Sequence, residues 1–208
     1  MNDNILITRL TERFREPLPG RSAQTKMMAR PRIPVKYPGS PDHAIPSAVL
    51  ILLFPRDDDI RFYLTQRTHA VEHHKGQISL PGGAWEEGER LPNTAIRETY
   101  EEIGVKGDGI RLLGALTPLF VPVTGFMIHP FVGWLDQEPT PKPDPAEVET
   151  LFSVSVYSLI DDNIIDKEER TVRGFFMHIP FFKFGDHKVW GVTAMILSEF
   201  KTLLREIL

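Results

Sequence analysis

The chain has 208 residues, 41% hydrophobic and 25% charged, which suits a single globular unit with a sizeable core. Its formal net charge of −4 provides no global basic field, arguing against nucleic-acid and anionic-membrane partners; an anionic ligand must be met by local Lys, Arg or a metal. Cysteine is absent, which excludes disulfides, thiolate catalysis and Cys-ligated zinc.

In chain order, residues 3–15 space Ile5, Leu6, Leu10 and Phe14 close to a helical repeat and predict an amphipathic helix. With Asp3 and no basic region ahead of an apolar core, this segment does not read as a signal peptide. The longest aliphatic run, residues 48–54, is far short of the roughly 20 residues that span a bilayer, so a cytoplasmic protein is the expectation. Residues 17–46 hold seven prolines and no sustained periodicity. Residues 1–43 are therefore read as an N-terminal helix with an extended Pro-rich lead-in, and residues 44–208 as one α/β domain.

The run 47–54 is continuous enough for a buried strand, Arg56-Asp57-Asp58-Asp59 is a charged turn, and 60–66 a second strand. Pro81-Gly82-Gly83 breaks the chain. Residues 92–103 predict a helix, with Pro92 in its first turn and Gly104 as a left-handed stop. Strands are expected at 111–116, 126–135, 148–156, 171–179 and 181–184, with a stiff polar loop at 139–145. Residues 193–207 close the chain as an amphipathic helix carrying Ile196, Leu197, Phe200, Leu203 and Leu204 on one side.

The chemistry concentrates on the 92–103 helix. Glu98, Glu101 and Glu102 stand at i, i+3 and i+4 on one face, where like charges repel by a few tenths of a kcal/mol, about 0.2–0.5 per pair. A divalent cation would remove that penalty, and a hard ion such as Mg²⁺ accepts carboxylates while keeping water and phosphate oxygens. Ala95, Ile96, Tyr100 and Ile103 are expected to pack on the sheet. Gly82 and Gly83 let the preceding loop approach the acidic face. Arg97 is expected to pair with Glu89 or a helix carboxylate. Three helical glutamates alone also fit an ordinary acidic surface.

The longer pattern decides between these. Gly83, five residues, Glu89, seven residues, Arg97-Glu98, two residues, Glu101-Glu102, one residue and Gly104-Val105 resembles the Nudix box, with Thr99 in its usual aliphatic position. The resemblance implies an α/β/α sandwich around a mixed sheet and hydrolysis of a diphosphate linkage in a nucleotide derivative by water. It implies Glu98 and Glu102 as the principal Mg²⁺ or Mn²⁺ ligands, and Glu101 as a further ligand or a base. Glu101 and Glu102 are the candidate catalytic carboxylates, and Glu89, Arg97 and Gly104 would hold the box in shape.

Upstream, Leu64-Thr65-Gln66-Arg67-Thr68, through Gly76, to Leu80-Pro81-Gly82-Gly83 resembles the added signature of coenzyme A diphosphatases. That resemblance implies Arg67, Lys75, Gly82 and Gly83 as substrate contacts. Tyr63, Thr68, Glu72 and Leu80 depart from it. Glu72 places a carboxylate where the signature has a cation, which keeps ADP-ribose or a dinucleotide as an alternative substrate; a non-catalytic binding module is a third reading, against which the complete set of Glu98, Glu101 and Glu102 argues. Thr124-Gly125-Phe126, Pro130-Phe131-Val132-Gly133 and Trp190-Gly191-Val192-Thr193-Ala194 extend the likeness over residues 44–207.

Remaining residues read less specifically. His69 and His73 are four apart but lie in an expected loop without a third ligand; His74 or Lys75 could touch phosphate. Trp85 either packs its loop or borders the ligand, and Trp190 is expected in the core. Glu147 is either a downstream acid for the site or a surface residue. Phe175, Phe176, Phe181, Phe182 and Phe184 read as core, and an exposed portion could form a homodimer or acyl-pantetheine surface.

Overall fold

A computed structural model describes residues 3–33, 40–68, 76–172 and 174–208. In chain order the elements are α1 (Asp3–Arg13), α2 (Gly20–Gln24), β1 (Arg30–Pro31), β2 (Ile45–Arg56), β3 (Asp59–Arg67), β4 (Ile78–Ser79), β5 (Gly82–Ala84) and α3 (Leu91–Ile103). Then come β6 (Arg111–Ala115), β7 (Leu119–Val121), β8 (Phe126–Trp134), β9 (Val148–Ser155), α4 (Val156–Ile160), β10 (Ile165–Val172), β11 (Phe175–Phe184), β12 (His187–Trp190) and α5 (Gly191–Ile207).

The aliphatic run 48–54 is continuous because β2 is covered on both faces. Ala48, Leu50, Leu52 and Phe54 face α3 with Ala95 and Ile103. Ile51 and Leu53 face the other way, into the larger core with α1, α4 and α5. The result is the expected α/β/α layering. The main sheet runs β4-β3-β2-β8-β6, with β5 beside β2, β7 beside β8 and β9 beside β3. It is mixed, since β2 and β8 are parallel and the other pairs antiparallel. A smaller sheet orders β1-β11-β10, with β12 also on β11.

Three elements differ from the sequence reading. Residues 17–46 are not extended throughout, since α2 and a following 3₁₀ turn, Thr25–Met27, fold against α5. A single buried carboxylate explains this: Glu199 of α5 accepts from the Gly20 amide, Gln24 Nε2 and Thr117 Oγ1, at 3.0, 2.8 and 2.7 Å. The strand expected at 171–179 is a hairpin that turns at Gly174, where φ is +82°. Its first arm, β10, is exposed on one face and only partly covered on the other, and so carries no apolar alternation for sequence reasoning to detect. Trp190 is only half-buried, and its ring carries the Arg170 guanidinium at 4.6 Å. Among the described residues no helix is long and apolar enough to cross a membrane.

Candidate active site

Helix α3 starts with proline in its first turn and ends at Gly104, whose φ of +69° is the left-handed stop expected from the sequence. The 139–145 loop completes that end: the amides of Lys142 and Asp144 donate to the carbonyls of Ile103 and Glu102, at 2.8 and 2.9 Å. A stretch read as a stiff connector therefore caps the helix, then turns through Asp144 into Glu147 and β9.

The helix buries Thr94, Ala95, Thr99, Glu102 and Ile103. Tyr100, expected on the sheet, is instead 51% exposed. Helical geometry accounts for the split among the acids. Glu102 lies about 40° around the axis from Glu98, whereas Glu101 lies about 60° to the other side. The side chain of Glu102 is 2% exposed and that of Glu98 16%, while that of Glu101 is 51% exposed and accepts from Arg97 Nη1 at 2.9 Å.

Arg97 organises the box. Its guanidinium reaches Glu89 at 2.8 Å, Glu98 and Glu101 at 2.9 Å each, and the Ala84 carbonyl at 3.0 Å. The hydrogen bond between Arg97 and Glu89 is the largest influence on both, holding Glu89 below the usual carboxylate range and raising Arg97. Trp85 packs within the same loop, its indole donating to the Glu89 carbonyl at 2.7 Å.

The two glycines have distinct duties. Gly82 (φ +156°) runs beside β2, where a Cβ would stand 2.3 Å from the Ala48 carbonyl. At Gly83 a Cβ would meet the Glu98 carboxylate at 2.4 Å. Only a bare backbone leaves room for that carboxylate.

Arg67, at the end of β3, donates to Glu102 Oε1 at 3.3 Å and stands 3.8 Å from Glu147. Glu147 is held over the site by Thr68, whose amide donates to its carbonyl at 3.0 Å. Burial is the largest influence on both inner acids. It raises Glu98 against the opposing Arg97, with Glu101 and Glu147 adding repulsion. It pushes Glu102 up to about 8, against Arg67 and the Gly82 amide, with Glu147 and Glu98 adding to the rise. Glu147, though partly exposed, is thus electrostatically part of the site, the first of its two sequence readings. His129 of β8, which sequence reasoning did not single out, stands level with Ala48, itself paired with Gly83, and burial lowers its pKa. Lys75, with His69, Glu72, His73 and His74, lies outside the described residues.

These residues fit a divalent cation. Glu102 Oε2 is buried with no hydrogen-bond partner among the described residues, and the neighbouring Glu98 and Glu147 offer hard carboxylate oxygens. Among the described residues no group of three or more His, Asp or Glu side chains is arranged to hold a metal ion, so a cation at Glu98 and Glu102 would need further oxygens from water or ligand.

The family described as the NUDIX domain matches residues 44–173. The chain is similar to "Nudix hydrolase 15, mitochondrial" of Arabidopsis thaliana, 36% identical over 159 residues, covering 73% of this chain and 55% of the relative. It thus spans about half the length of that protein. It is also similar to "Peroxisomal coenzyme A diphosphatase ndx-8" of Caenorhabditis elegans, 32% identical over 181 residues, covering 82% of this chain and 72% of the relative. Among solved structures, a MutT/nudix family protein from Enterococcus faecalis shares the fold with a TM-score of 0.52 at 15% identity, over 84% of this chain and 66% of that one. With more than half of its length matched, the chain belongs to the Nudix domain family.

Proposed function

We propose that the chain is a metal-dependent hydrolase of a diphosphate linkage in a nucleotide derivative, with coenzyme A or acyl-coenzyme A as substrate. The single observation that carries the chemistry is the buried, unpartnered Oε2 of Glu102 beside Glu98. A Mg²⁺ or Mn²⁺ held by Glu98 and Glu102 would screen the diphosphate charge and acidify water. Arg67, partly exposed between Glu102 and Glu147, is a cation available to orient phosphate oxygens. Arg97 fixes Glu98 and keeps Glu101 beside it as a further ligand or base. Water adds to one phosphorus, the bridging P–O bond breaks, and the oxygen leaves with the other phosphoryl group. From coenzyme A the products are 4′-phosphopantetheine and adenosine 3′,5′-bisphosphate.

The coenzyme A reading is supported by the 64–83 signature and by the nematode relative named a coenzyme A diphosphatase. Glu72 favours ADP-ribose or a dinucleotide as the second reading. Incubation with Mg²⁺ and a panel of coenzyme A, ADP-ribose, NADH and diadenosine polyphosphates, followed by chromatography, separates them. Fastest turnover of coenzyme A is the expected result. Turnover of none would favour a binding module.

A further inference from the structure

We propose that β10 is a homodimer edge: two copies of the chain join their small sheets by pairing this strand antiparallel about a twofold axis at Glu168. On its inner side β10 pairs with β11 along eight residues; on its outer side no strand lies beside it among the described residues. An eight-residue open edge offers a row of amides and carbonyls to a second strand, the Lys167 amide exchanging its contact with Asp166 for one across the axis. Their parity can be read. Lys167 faces Pro180, which has no amide, and its own amide donates to Asp166 Oδ1 instead of to β11. In an antiparallel ladder such groups alternate, so Ile165, Lys167, Glu169 and Thr171 point their backbone groups outward.

Charges on an edge usually oppose pairing. Here they select one register. With the axis at Glu168, Lys167 faces Glu169 of the second copy, Ile165 faces Thr171, and Asp166 faces Arg170. The two outward-facing pairs fall at hydrogen-bonding positions, as the parity requires. Opposite charges meet in both ionic pairs, each favourable by about 0.2–1 kcal/mol. Moving the axis to Lys167 sets Lys167 against itself and Asp166 against Glu168; moving it to Glu169 sets that residue against itself. In the chosen register the like pair is Glu168 with its copy, and each Glu168 is already neutralised by Lys188 and by Arg170 at 3.3 Å. The same arrangement continues an apolar row. Ile165, 40% exposed, comes beside Thr171 of the second copy, whose hairpin partner is Phe176, 41% exposed.

A contact of this size is smaller than a standard interface, so a dissociation constant on the order of micromolar is expected. Sedimentation velocity of the full chain across that concentration range tests it. The wild type should shift from monomer to dimer as concentration rises. Lys167→Glu and Glu169→Lys should each remain monomeric, because each sets like charges across the axis. An equimolar mixture of the two variants should dimerise, as should the double variant. Folding defects cannot produce that rescue, and circular dichroism of each variant checks that the hairpin is kept. A wild type that stays monomeric, a single variant that dimerises like it, or a mixture that stays monomeric would overturn the proposal.

Discussion

Glu102 is a carboxylic acid placed where its charge is costly. Burial raises its pKa from 4.5 to about 8, so the metal-free fold favours the neutral form. The stabilising contribution of this group is therefore complete below the unfolded value of 4.5 and is lost as pH climbs through about 8. A cation held as proposed would bind the ionised form and compete with the proton, so Mg²⁺ should raise the melting temperature more at alkaline than at mildly acidic pH. Glu102→Gln separates stability from chemistry. With chelator present at about pH 9, the variant should be more stable than the wild type by on the order of 2–3 kcal/mol, since it has no charge to bury. Its hydrolysis rate should fall roughly 10²–10⁴-fold. Urea denaturation and single-substrate kinetics check the two halves; a Gln variant less stable than wild type there would show that burial does not hold this acid neutral.

At the level of elements, the C-terminal end of α3 governs how Glu147 reaches the site. Gly104 is left-handed, and a Cβ there would stand 2.8 Å from the Lys142 carbonyl. Gly104→Ala should cost about 1–2 kcal/mol from the backbone alone, and displacing Lys142 should loosen the loop leading to Glu147. A lowered denaturation midpoint together with a reduced rate is expected; loss of stability with an unchanged rate would mean that the loop does not position the acid. The helix itself was legible from Pro92, Gly104 and the carboxylate spacing, because capping and periodicity are local. Which carboxylate is buried was not. The i, i+3, i+4 spacing defines a face but not its azimuth, and only the packing of Ala95 and Ile103 on β2 turns Glu102 inward and leaves Tyr100 and Glu101 outward. The capping role of residues 139–145 was equally hidden, since it rests on contacts between residues far apart in the chain, Lys142 with Ile103 and Asp144 with Glu102. β10 was hidden because a strand exposed on one face and barely covered on the other has no apolar period.

Across the whole molecule, the segment ahead of the family match is part of the main core. Leu6, Ile7 and Leu10 of α1, with Met27, are buried in the same cluster as Phe200, Leu203 and Leu204 of α5. Gly114 of β6 leaves room for the Phe14 ring, which a Cβ would meet at 2.3 Å. Glu199, fully buried, depends on Gly20 and Gln24 for two of its donors. Removing residues 1–43 would bare the apolar side of α5 and leave that carboxylate with only the Thr117 donors. Burying four large apolar side chains is worth about 1.5–3 kcal/mol each, a large share of the roughly 5–15 kcal/mol that holds a domain folded. A chain starting at residue 44 should therefore unfold or aggregate, although it would keep Glu98, Glu101 and Glu102. In the full chain, Glu199→Ala should be destabilised by several kcal/mol, about 3–5, because buried donors lose their charged acceptor. Full-chain unfolding in urea should be one transition whether followed by a probe on α1 or by far-ultraviolet circular dichroism. Separate transitions, or a truncated chain with an undiminished midpoint, would show that α1 is an appendage to an independently stable sandwich.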